Sequence, residues 1–352
     1  MYYVNENIKD LYRVKCTEDR SKVIRLDMNE NPIGLPLEFV EKVKDMITPE
    51  FLATYPMKEH LIEQIAKHNC VEKNNITVTA GSEEAMRLVF QCFGQAGRSL
   101  LTVFPTFEMY DVYSKMFGMI HEIVEYDENF SVKADDIVNK INKKTGMVIL
   151  LNPNSPIGTT YTLEEFEKII NRAEEVGAIV VIDEAYHYFY KDTEIGLIKK
   201  YKNLIVLRTF SKLFSVAGLR IGYAVADPEL IGYIEKAEST FNVSNVSILF
   251  ATEILKNENL LNNLVEIERT GHQWIANQLE NNGYKVISGA GNYVLFFPNI
   301  QSKELVSKLK ERGIWIRDYS NGILKGWARI STGDISVMKR VWDEISIIDN
   351  AR

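Results

Sequence analysis

The chain has 352 residues, of which 46% are hydrophobic and 25% are charged, and its formal net charge is −7. This length suits two domains with a large core, and the acidic balance argues against a nucleic-acid-binding protein, which would carry a basic patch. No run of the sequence approaches the ~18 consecutive apolar residues of a membrane-spanning helix.

The N-terminal residues and the cysteines indicate a cytoplasmic protein. MYYVNENIKD lacks the charged-then-apolar layout of a secretory signal. Cys16, Cys70 and Cys92 lie far apart and form no pair with metal-ligand spacing. We therefore expect a reduced compartment, no metal site, and cysteines that act as small buried hydrophobic residues.

Short, nearly continuous apolar runs recur along the first two thirds of the chain. Such runs are typical of strands that are covered on both faces, as in a parallel sheet. The predicted strands are Ile76–Ala80, Leu100–Phe104, Met147–Leu151, Ala178–Ile182, Leu204–Leu207 and Ile221–Ala226.

Helical patterns separate several of these strands. One begins at Ser82, where two acidic residues precede apolar residues at helical spacing; another runs from Thr162, the first residue of a capping box, to Val176. Alternating strands and helices predict an α/β fold with a three-layer wound, mostly parallel sheet.

The pattern changes after Asp227-Pro228. One helical stretch is predicted to reach about Asn257 and a second to cover about Asn262 to Asn282, followed by strands at Tyr284–Ile287 and Tyr293–Phe297. We predict a large α/β domain over residues 35–245 and a smaller α+β domain formed by residues 1–34, an N-terminal arm, and 246–352.

Polar residues follow the predicted strands at their carboxyl ends, where ligands collect in wound sheets. Each alone suits a helix cap or a turn, but together they place donors, a carboxylate and a lysine around one rim. They are Gly81-Ser82, Asn152, Asp183-Glu184 and Ser211-Lys212.

Six motifs in this order resemble the fold-type-I pyridoxal-phosphate (PLP) aminotransferases, within them the histidinol-phosphate aminotransferase group, which also contains phosphothreonine-type decarboxylases. The resemblance runs from about Asn29 to Gly333. The motifs are Asn29-Glu30-Asn31-Pro32-Ile33-Gly34, Ala80-Gly81-Ser82-Glu83-Glu84, Asn152-Pro153-Asn154-Ser155-Pro156-Ile157-Gly158, Asp183-Glu184-Ala185-Tyr186, RTFSKLFSVAGLRIGY at 208–223, and Arg329-Ile330-Ser331.

The resemblance implies three catalytic residues. Lys212 would form a Schiff base with PLP and move the substrate's α-proton, although a lysine can also lie at the surface with its ammonium in water. Asp183 would pair with the pyridine nitrogen, unless it only caps a helix, and Tyr186 would bind the phenolic oxygen of the ring.

The resemblance also implies a phosphate site. Arg220 would hold the coenzyme phosphate with the hydroxyls of Thr209 and Ser211. Gly81, Ser82 and Glu83 open a helix whose N-terminal amides favour the same anion.

Further coenzyme contacts carry alternatives. Phe107 falls where the family stacks an aromatic ring on PLP, and Tyr110 is the competing choice. Ser155 stands where the family has an asparagine bound to the phenolic oxygen, so that contact is direct, water-mediated or taken over by Asn154. Tyr55 matches a tyrosine that relatives extend into the neighbouring subunit, which implies a homodimer with a shared site; a core or surface tyrosine is the alternative.

The substrate end is expected at Arg329 and Arg317, because two arginine forks favour a carboxylate or phosphate. Arg317 could instead pair with Asp318 or another surface acid. Tyr12 and Asn31 are further candidate substrate contacts.

These residues indicate an aminotransferase that acts between a glutamate-like amino acid and a small phosphorylated ketone or aldehyde. Histidinol phosphate is the family default, and Ile33 and Thr54 depart from the family in a way that makes a shorter phosphorylated amino alcohol plausible. The alternative is a PLP-dependent decarboxylase of phosphoserine or phosphothreonine. A regulatory protein of this fold would need an added DNA-binding segment, and no G-x-G-x-x-G follows a strand as a dehydrogenase requires.

Overall fold

The computed structural model describes residues 2–12 and 18–349. Cys16 lies outside the described residues. The strands of this part of the chain are β1 (Ile24–Arg25), β2 (Ile76–Thr79), β3 (Ser99–Phe104), β4 (Ile120–Glu125), β5 (Thr145–Leu151), β6 (Ile179–Asp183), β7 (Leu204–Thr209), β8 (Gly222–Ala226), β9 (Lys285–Ile287), β10 (Tyr293–Phe297), β11 (Ile314–Trp315), β12 (Arg317–Asp318) and β13 (Ala328–Ser331).

The α-helices cover both faces of the central sheet and the outer face of the smaller one. They are α1 (Glu6–Lys9), α2 (Leu37–Lys44), α3 (Pro49–Ala53), α4 (Glu59–Asn69), α5 (Ser82–Phe93), α6 (Met109–Met116), α7 (Ala134–Lys140), α8 (Leu163–Glu175), α9 (Pro228–Ala237), α10 (Asn245–Leu255), α11 (Glu258–Asn281), α12 (Ser302–Glu311) and α13 (Ile335–Asp349). None of the described helices is long and apolar enough to cross a membrane.

The central sheet has seven strands in the order β2-β8-β7-β6-β5-β3-β4. The neighbours from β7 to β4 are parallel, whereas β8 runs antiparallel to both β7 and β2. Four of the six predicted strands are confirmed within one residue at each end, and β5 and β7 extend two residues further at one end. The predicted wound, mostly parallel α/β sheet is confirmed. The prediction missed β4, an edge strand whose residues are exposed or half-buried and whose sequence, IHEIVE, mixes polar and apolar residues.

The reversed direction of β8 brings three chain segments to one point. Thr79 at the end of β2 and Thr209 at the end of β7 both pair with Gly222, the first residue of β8. The residues that follow β2 and β7 therefore meet the residues that precede β8.

A four-stranded antiparallel sheet, β12-β13-β10-β9, lies beside the central sheet with α11, α12 and α13, and the parallel pair β1-β11 ties the N-terminal segment to it. Its core is separate from the two clusters on the faces of the central sheet. The single helix predicted between Asp227 and Asn257 is wrong: α9 ends at Ala237, and α10 begins after the N-cap Ser244, whose hydroxyl accepts the Ser247 amide.

The predicted division at residue 245 stays a prediction. The buried residues of α10, among them Ile248 and Ala251, belong to the core on one face of the central sheet, and α10 packs on α4.

Candidate active site

Asp183 is a buried carboxylate at the end of β6, 5% exposed. The Tyr110 hydroxyl donates to its Oδ2 at 3.0 Å and the Ala185 amide donates to its Oδ1 at 3.1 Å. Burial raises the pKa of Asp183 to about 6, against the opposing effects of these hydrogen bonds and of the Lys212 charge. A cationic ring nitrogen beside it would supply the counter-charge that this carboxylate lacks.

Lys212 follows β7, the neighbour of β6, and projects over the same rim. Its Nζ lies 5.5 Å from the centre of the Tyr186 ring and donates to the carbonyl oxygen of Met28 at 2.9 Å. The side chain is half-buried, and its predicted role as the coenzyme lysine stays a prediction.

An anion seat lies where β2, β7 and β8 meet. Gly81 (φ +85°) is the N-cap of α5 and has no side chain with which to cap this helix, and the N-terminus of a helix is a favourable place for an anion. A Cβ at Gly81 would lie 2.9 Å from the Arg220 guanidinium, and one at Gly222 would lie 2.6 Å from the Ser82 amide nitrogen. The two glycines therefore let the guanidinium and the helix start approach each other.

Side chains around this seat suit a phosphate. The Thr209 hydroxyl donates to Ser211 Oγ at 2.9 Å, and the Arg220 guanidinium is half exposed, with its NH1 donating to the Ala217 carbonyl at 3.2 Å. Glu83 brings a carboxylate within 4.0 Å of Arg220, so it would contribute its backbone amide rather than its side chain. The donor set fits the phosphate of PLP.

A buried ion pair supports the rim from behind. Arg208 on β7 contacts Glu184 through Nε at 2.8 Å and NH2 at 2.7 Å, and both side chains are almost fully buried. Thr193 donates to Glu184 as well. Removing either partner would leave a buried charge without a counter-charge. The pair therefore holds Glu184, and with it the turn that follows Asp183, against β7.

Tyr110, and not Phe107, hydrogen-bonds the Asp183 carboxylate, while the predicted stacking of Phe107 on the coenzyme ring stays a prediction. Tyr110 is fully buried with its hydroxyl on Asp183, whereas Phe107 is 41% exposed and packs edge-on against Tyr110 with ring centres 5.5 Å apart. Sequence reasoning named Tyr110 only as the competing choice.

Asn154 is engaged elsewhere. Its Nδ2 donates to the Pro105 carbonyl and to the Tyr126 hydroxyl, both at 2.9 Å, and its Oδ1 accepts from Thr106 at 2.6 Å. Both amide hydrogens are therefore used, and the amide has no donor left for a coenzyme oxygen.

The residue that sequence reasoning missed is Asn29. It is 2% exposed, and its Nδ2 donates to the Tyr186 hydroxyl at 2.8 Å and to Ser155 Oγ at 3.3 Å. Asn31, the candidate from the same motif, accepts the Ile33 amide at 3.1 Å, as in an ordinary turn. The motif was recognisable, but the sequence does not show which asparagine faces inward.

Arg329 is a buried cation without an anion among the described residues that it contacts. Its NH1 donates to Ser155 Oγ at 3.3 Å and its NH2 to the carbonyl of Asp27 at 2.6 Å, while its Nε is buried and makes no hydrogen bond to any described residue. An unpartnered guanidinium nitrogen, in a side chain 9% exposed, suits a ligand anion.

Arg317 pairs with Arg329 across β12 and β13, so the two side chains leave the same face of the sheet. Unlike Arg329, it already has a counter-ion: its NH2 lies 2.7 Å from Oε1 of Glu108. The acid that pairs with Arg317 is thus Glu108 and not its sequence neighbour Asp318.

Tyr12 and Tyr55 lie at the surface, 80% and 72% exposed, and Tyr55 stacks on Phe241 with ring centres 4.3 Å apart. Neither is brought to Lys212 within this chain, and their predicted roles stay predictions.

Comparisons with known proteins show the family to which the chain belongs. The family model described as "Aminotransferase class I and II" matches residues 21–345. The histidinol-phosphate aminotransferase of Caldanaerobacter subterraneus subsp. tengcongensis is 34% identical over 301 residues, 84% of each chain, and that of Clostridium novyi is 33% identical over 93% of this chain and 92% of its own.

Solved structures are similar as well. The crystal structure of the histidinol-phosphate aminotransferase from Clostridium acetobutylicum has a TM-score of 0.84 and 25% identity, covering 93% of this chain and 99% of that one. The Sinorhizobium meliloti histidinol-phosphate aminotransferase, solved in complex with pyridoxal-5'-phosphate, has a TM-score of 0.85 at 21% identity, covering 94% of this chain and 92% of its own, and supports the fold alone.

Proposed function

The chain belongs to the class I and II aminotransferases, and on that premise we propose that it moves an amino group between glutamate and a small phosphorylated ketone or aldehyde. It is a PLP-dependent aminotransferase; the substrates and the roles of individual residues are what we propose. The observation that supports the substrate class is Arg329, a buried guanidinium beside the lysine rim with one nitrogen that bonds none of the described residues.

The coenzyme, when bound, supplies an electron sink for the electrons released at the substrate's α-carbon. Lys212 would hold it covalently and, once released, would carry the proton between the α-carbon and the neighbouring position. Asp183 would hold the ring-nitrogen proton, since the buried carboxylate is stabilised by a cation at that point.

Three sets of residues would hold the remaining groups. The amides at the start of α5, with Arg220, Thr209 and Ser211, would bind the coenzyme phosphate. Tyr186 and Ser155 would face the phenolic oxygen. Arg329 would bind the substrate's anionic group, with Arg317 available for a second anion once Glu108 is displaced.

The relatives support histidinol phosphate as the phosphorylated substrate, because the proteins from Caldanaerobacter and Clostridium novyi are both named histidinol-phosphate aminotransferases. Neither of these two proteins is named a decarboxylase. Ile33 and Thr54 remain the reason to include shorter phosphorylated amino alcohols among the substrates tested.

We also propose a homodimer in the cytoplasm, in which Tyr55 completes the partner's phosphate site. Exposed large apolar side chains, among them Leu52, Tyr55, Met57 and Phe241, support an interface at this surface. Mixing inactive Lys212→Ala with inactive Tyr55→Phe subunits tests the shared site. Restored activity in the mixture supports it, and a monomer by sedimentation contradicts it.

The test of the reaction uses the PLP-loaded protein in two half-reactions. Glutamate should discharge the yellow colour with release of 2-oxoglutarate. In the other half-reaction, histidinol phosphate, phosphoethanolamine, phosphoserine and phosphothreonine are each used in place of glutamate, and one amine should discharge the colour above the rest with release of its ketone or aldehyde. 2-Oxoglutarate should then restore the colour and yield glutamate. Release of carbon dioxide without a keto product would contradict the proposal and support the decarboxylase.

A further inference from the structure

Asn29 contacts both hydroxyl groups at the centre of the site. Its single Nδ2 atom lies 2.8 Å from the Tyr186 hydroxyl and 3.3 Å from Ser155 Oγ, so both hydroxyls lie on the same side of this amide. Asn29 follows Met28, whose carbonyl binds the Lys212 amino group at 2.9 Å. The amide, the two hydroxyls and the lysine therefore belong to one cluster.

The hydrogen bonds determine which way each hydroxyl hydrogen can point. A hydroxyl group has one hydrogen to donate and two lone pairs that accept. Ser155 Oγ accepts from Asn29 and from NH1 of Arg329, both at 3.3 Å, which fills its acceptors. Tyr186 accepts from Asn29 as well. The hydrogen of the Tyr186 hydroxyl is thus left to donate to a further acceptor, and that of Ser155 can turn either to the Tyr293 hydroxyl, which it contacts, or to the same acceptor.

The other half of Asn29 is held from several sides. Its Oδ1 accepts a hydrogen bond from the Ser331 hydroxyl at 3.0 Å, and its backbone amide donates to Ser331 Oγ at 2.9 Å. Asn292 donates to its carbonyl at 3.1 Å. Its φ of 56° lies in the left-handed region, which asparagine tolerates better than most residues.

Resting on the function proposed above, we propose that Asn29 is a positioning residue that makes Tyr186 and Ser155 hydrogen-bond donors toward the phenolic oxygen of PLP. Asn29 thereby provides the amide of this cluster, which neither Ser155 nor the fully engaged Asn154 can provide. Two donors stabilise an ionised oxygen, so they lower the pH at which the coenzyme linked to Lys212 loses its proton.

The absorbance of the PLP-loaded protein, followed between pH 5 and pH 10, gives the midpoint of this proton loss directly. Asn29→Gly removes the amide and accepts a positive φ without strain. We expect the midpoint to rise by about one pH unit, since a tenfold change is typical for the loss of a hydrogen bond to a charged form. Asn203→Ala is the matched control: this half-buried amide donates to backbone carbonyls at the opposite end of β7, and its loss should leave the midpoint unchanged.

The route through the hydroxyls is tested in a second background. In the Tyr186→Phe, Ser155→Ala protein, Asn29→Gly should produce no further change of the midpoint. A shift that persists there, or no shift in the otherwise unchanged protein, overturns the proposal.

Asn29→Asp serves if the glycine variant does not fold, because aspartate keeps the size and the φ preference but can only accept hydrogen bonds when ionised. Its midpoint should rise, both through the lost donor and through the added negative charge, and an unchanged midpoint overturns the proposal. A wild-type protein that never turns yellow contradicts the proposed function instead.

Discussion

The coenzyme end and the substrate end of this site are built in different ways. Asp183, Lys212 and the start of α5 follow strands of one sheet, so their positions are set by strand order and by the reversal of β8. At the substrate end, Arg329 comes from β13 of the smaller sheet. It meets Ser155, in the loop after β5, and through it Asn29, in the N-terminal segment, only by tertiary packing, so the phenolic-oxygen side of the coenzyme is built in this second way too.

The two ends also differ in how their charges are balanced. At the coenzyme end, the buried Asp183 carboxylate suits a cationic ligand, and the anion seat at Arg220 and the start of α5 suits an anionic one. The substrate end has one arginine without a counter-ion among the described residues and one that is already paired. Coenzyme binding is thus preset by the sheet, whereas substrate choice depends on contacts between segments that are distant in sequence.

The largest effect should come from the coenzyme end. We expect Asp183→Ala to lower kcat/KM about 10³-fold, the typical loss for one preorganised electrostatic group, while PLP still binds through Lys212 and the phosphate seat. Steady-state kinetics with the colour of the loaded protein as a readout measures both. Asp227→Ala removes an aspartate that caps α9 and should leave kcat/KM unchanged; equal losses in the two variants would contradict the assignment.

At the substrate end, Arg329→Lys keeps the charge and removes the fork. We expect KM for the anionic substrate to rise about 10- to 100-fold, because hydrogen bonds to charged groups contribute about 1.5–3 kcal/mol, with the PLP colour unchanged. Arg269→Gln removes an exposed arginine paired with Glu266 on α11 and is the control. An unchanged KM in Arg329→Lys would mean that the anionic group of the substrate does not bind at Arg329.

Substitution of Glu268 tests the packing behind the substrate end without changing a residue that is proposed to bind substrate. This carboxyl on α11 is buried, bonds Thr332 beyond β13, and burial raises its pKa to about 7. A raised native pKa disfavours ionisation, so its stabilising contribution is complete below about pH 4.5 and is lost as the pH rises through 7.

We therefore compare the free energy of unfolding of Glu268→Gln with that of the wild type. This difference should favour the variant by about 2 kcal/mol more at pH 8 than at pH 5. Urea unfolding at both pH values measures it, and Asp183 and Glu194, whose pKa values burial also raises, cancel in the difference. Glu266→Gln, exposed on the same helix, should show no such change. If the free energies of unfolding of Glu268→Gln and the wild type change equally between pH 5 and pH 8, a buried, titrating Glu268 is ruled out.

The smallest effect concerns Glu108, the counter-ion of Arg317. Both side chains are substantially exposed, and such pairs contribute up to about 1 kcal/mol. Glu108→Gln frees Arg317, so KM for glutamate, which has two carboxylates, should fall about two- to fivefold, while KM for a substrate with one anionic group should not change. A rise in the glutamate KM would mean that Glu108 itself assists binding.

The sequence predicts the coenzyme end more completely than the substrate end for a physical reason. A polar residue at the end of a buried strand, or within three residues after it, is placed by local structure alone, and Asp183, Lys212 and Ser82 are such residues. Asn29 and Asn31 are alike in sequence, and only the packing of residues 18–34 against β13 turns Asn29 inward. The Glu108–Arg317 pair joins residues 209 positions apart and left no local signal.

The most direct test is borohydride reduction of the PLP-loaded protein followed by peptide mapping. The account predicts a yellow protein that loses its colour on reduction and carries one coenzyme adduct on the peptide with Lys212, absent from Lys212→Ala. A colourless protein in excess coenzyme, or an adduct confined to another lysine, would contradict it.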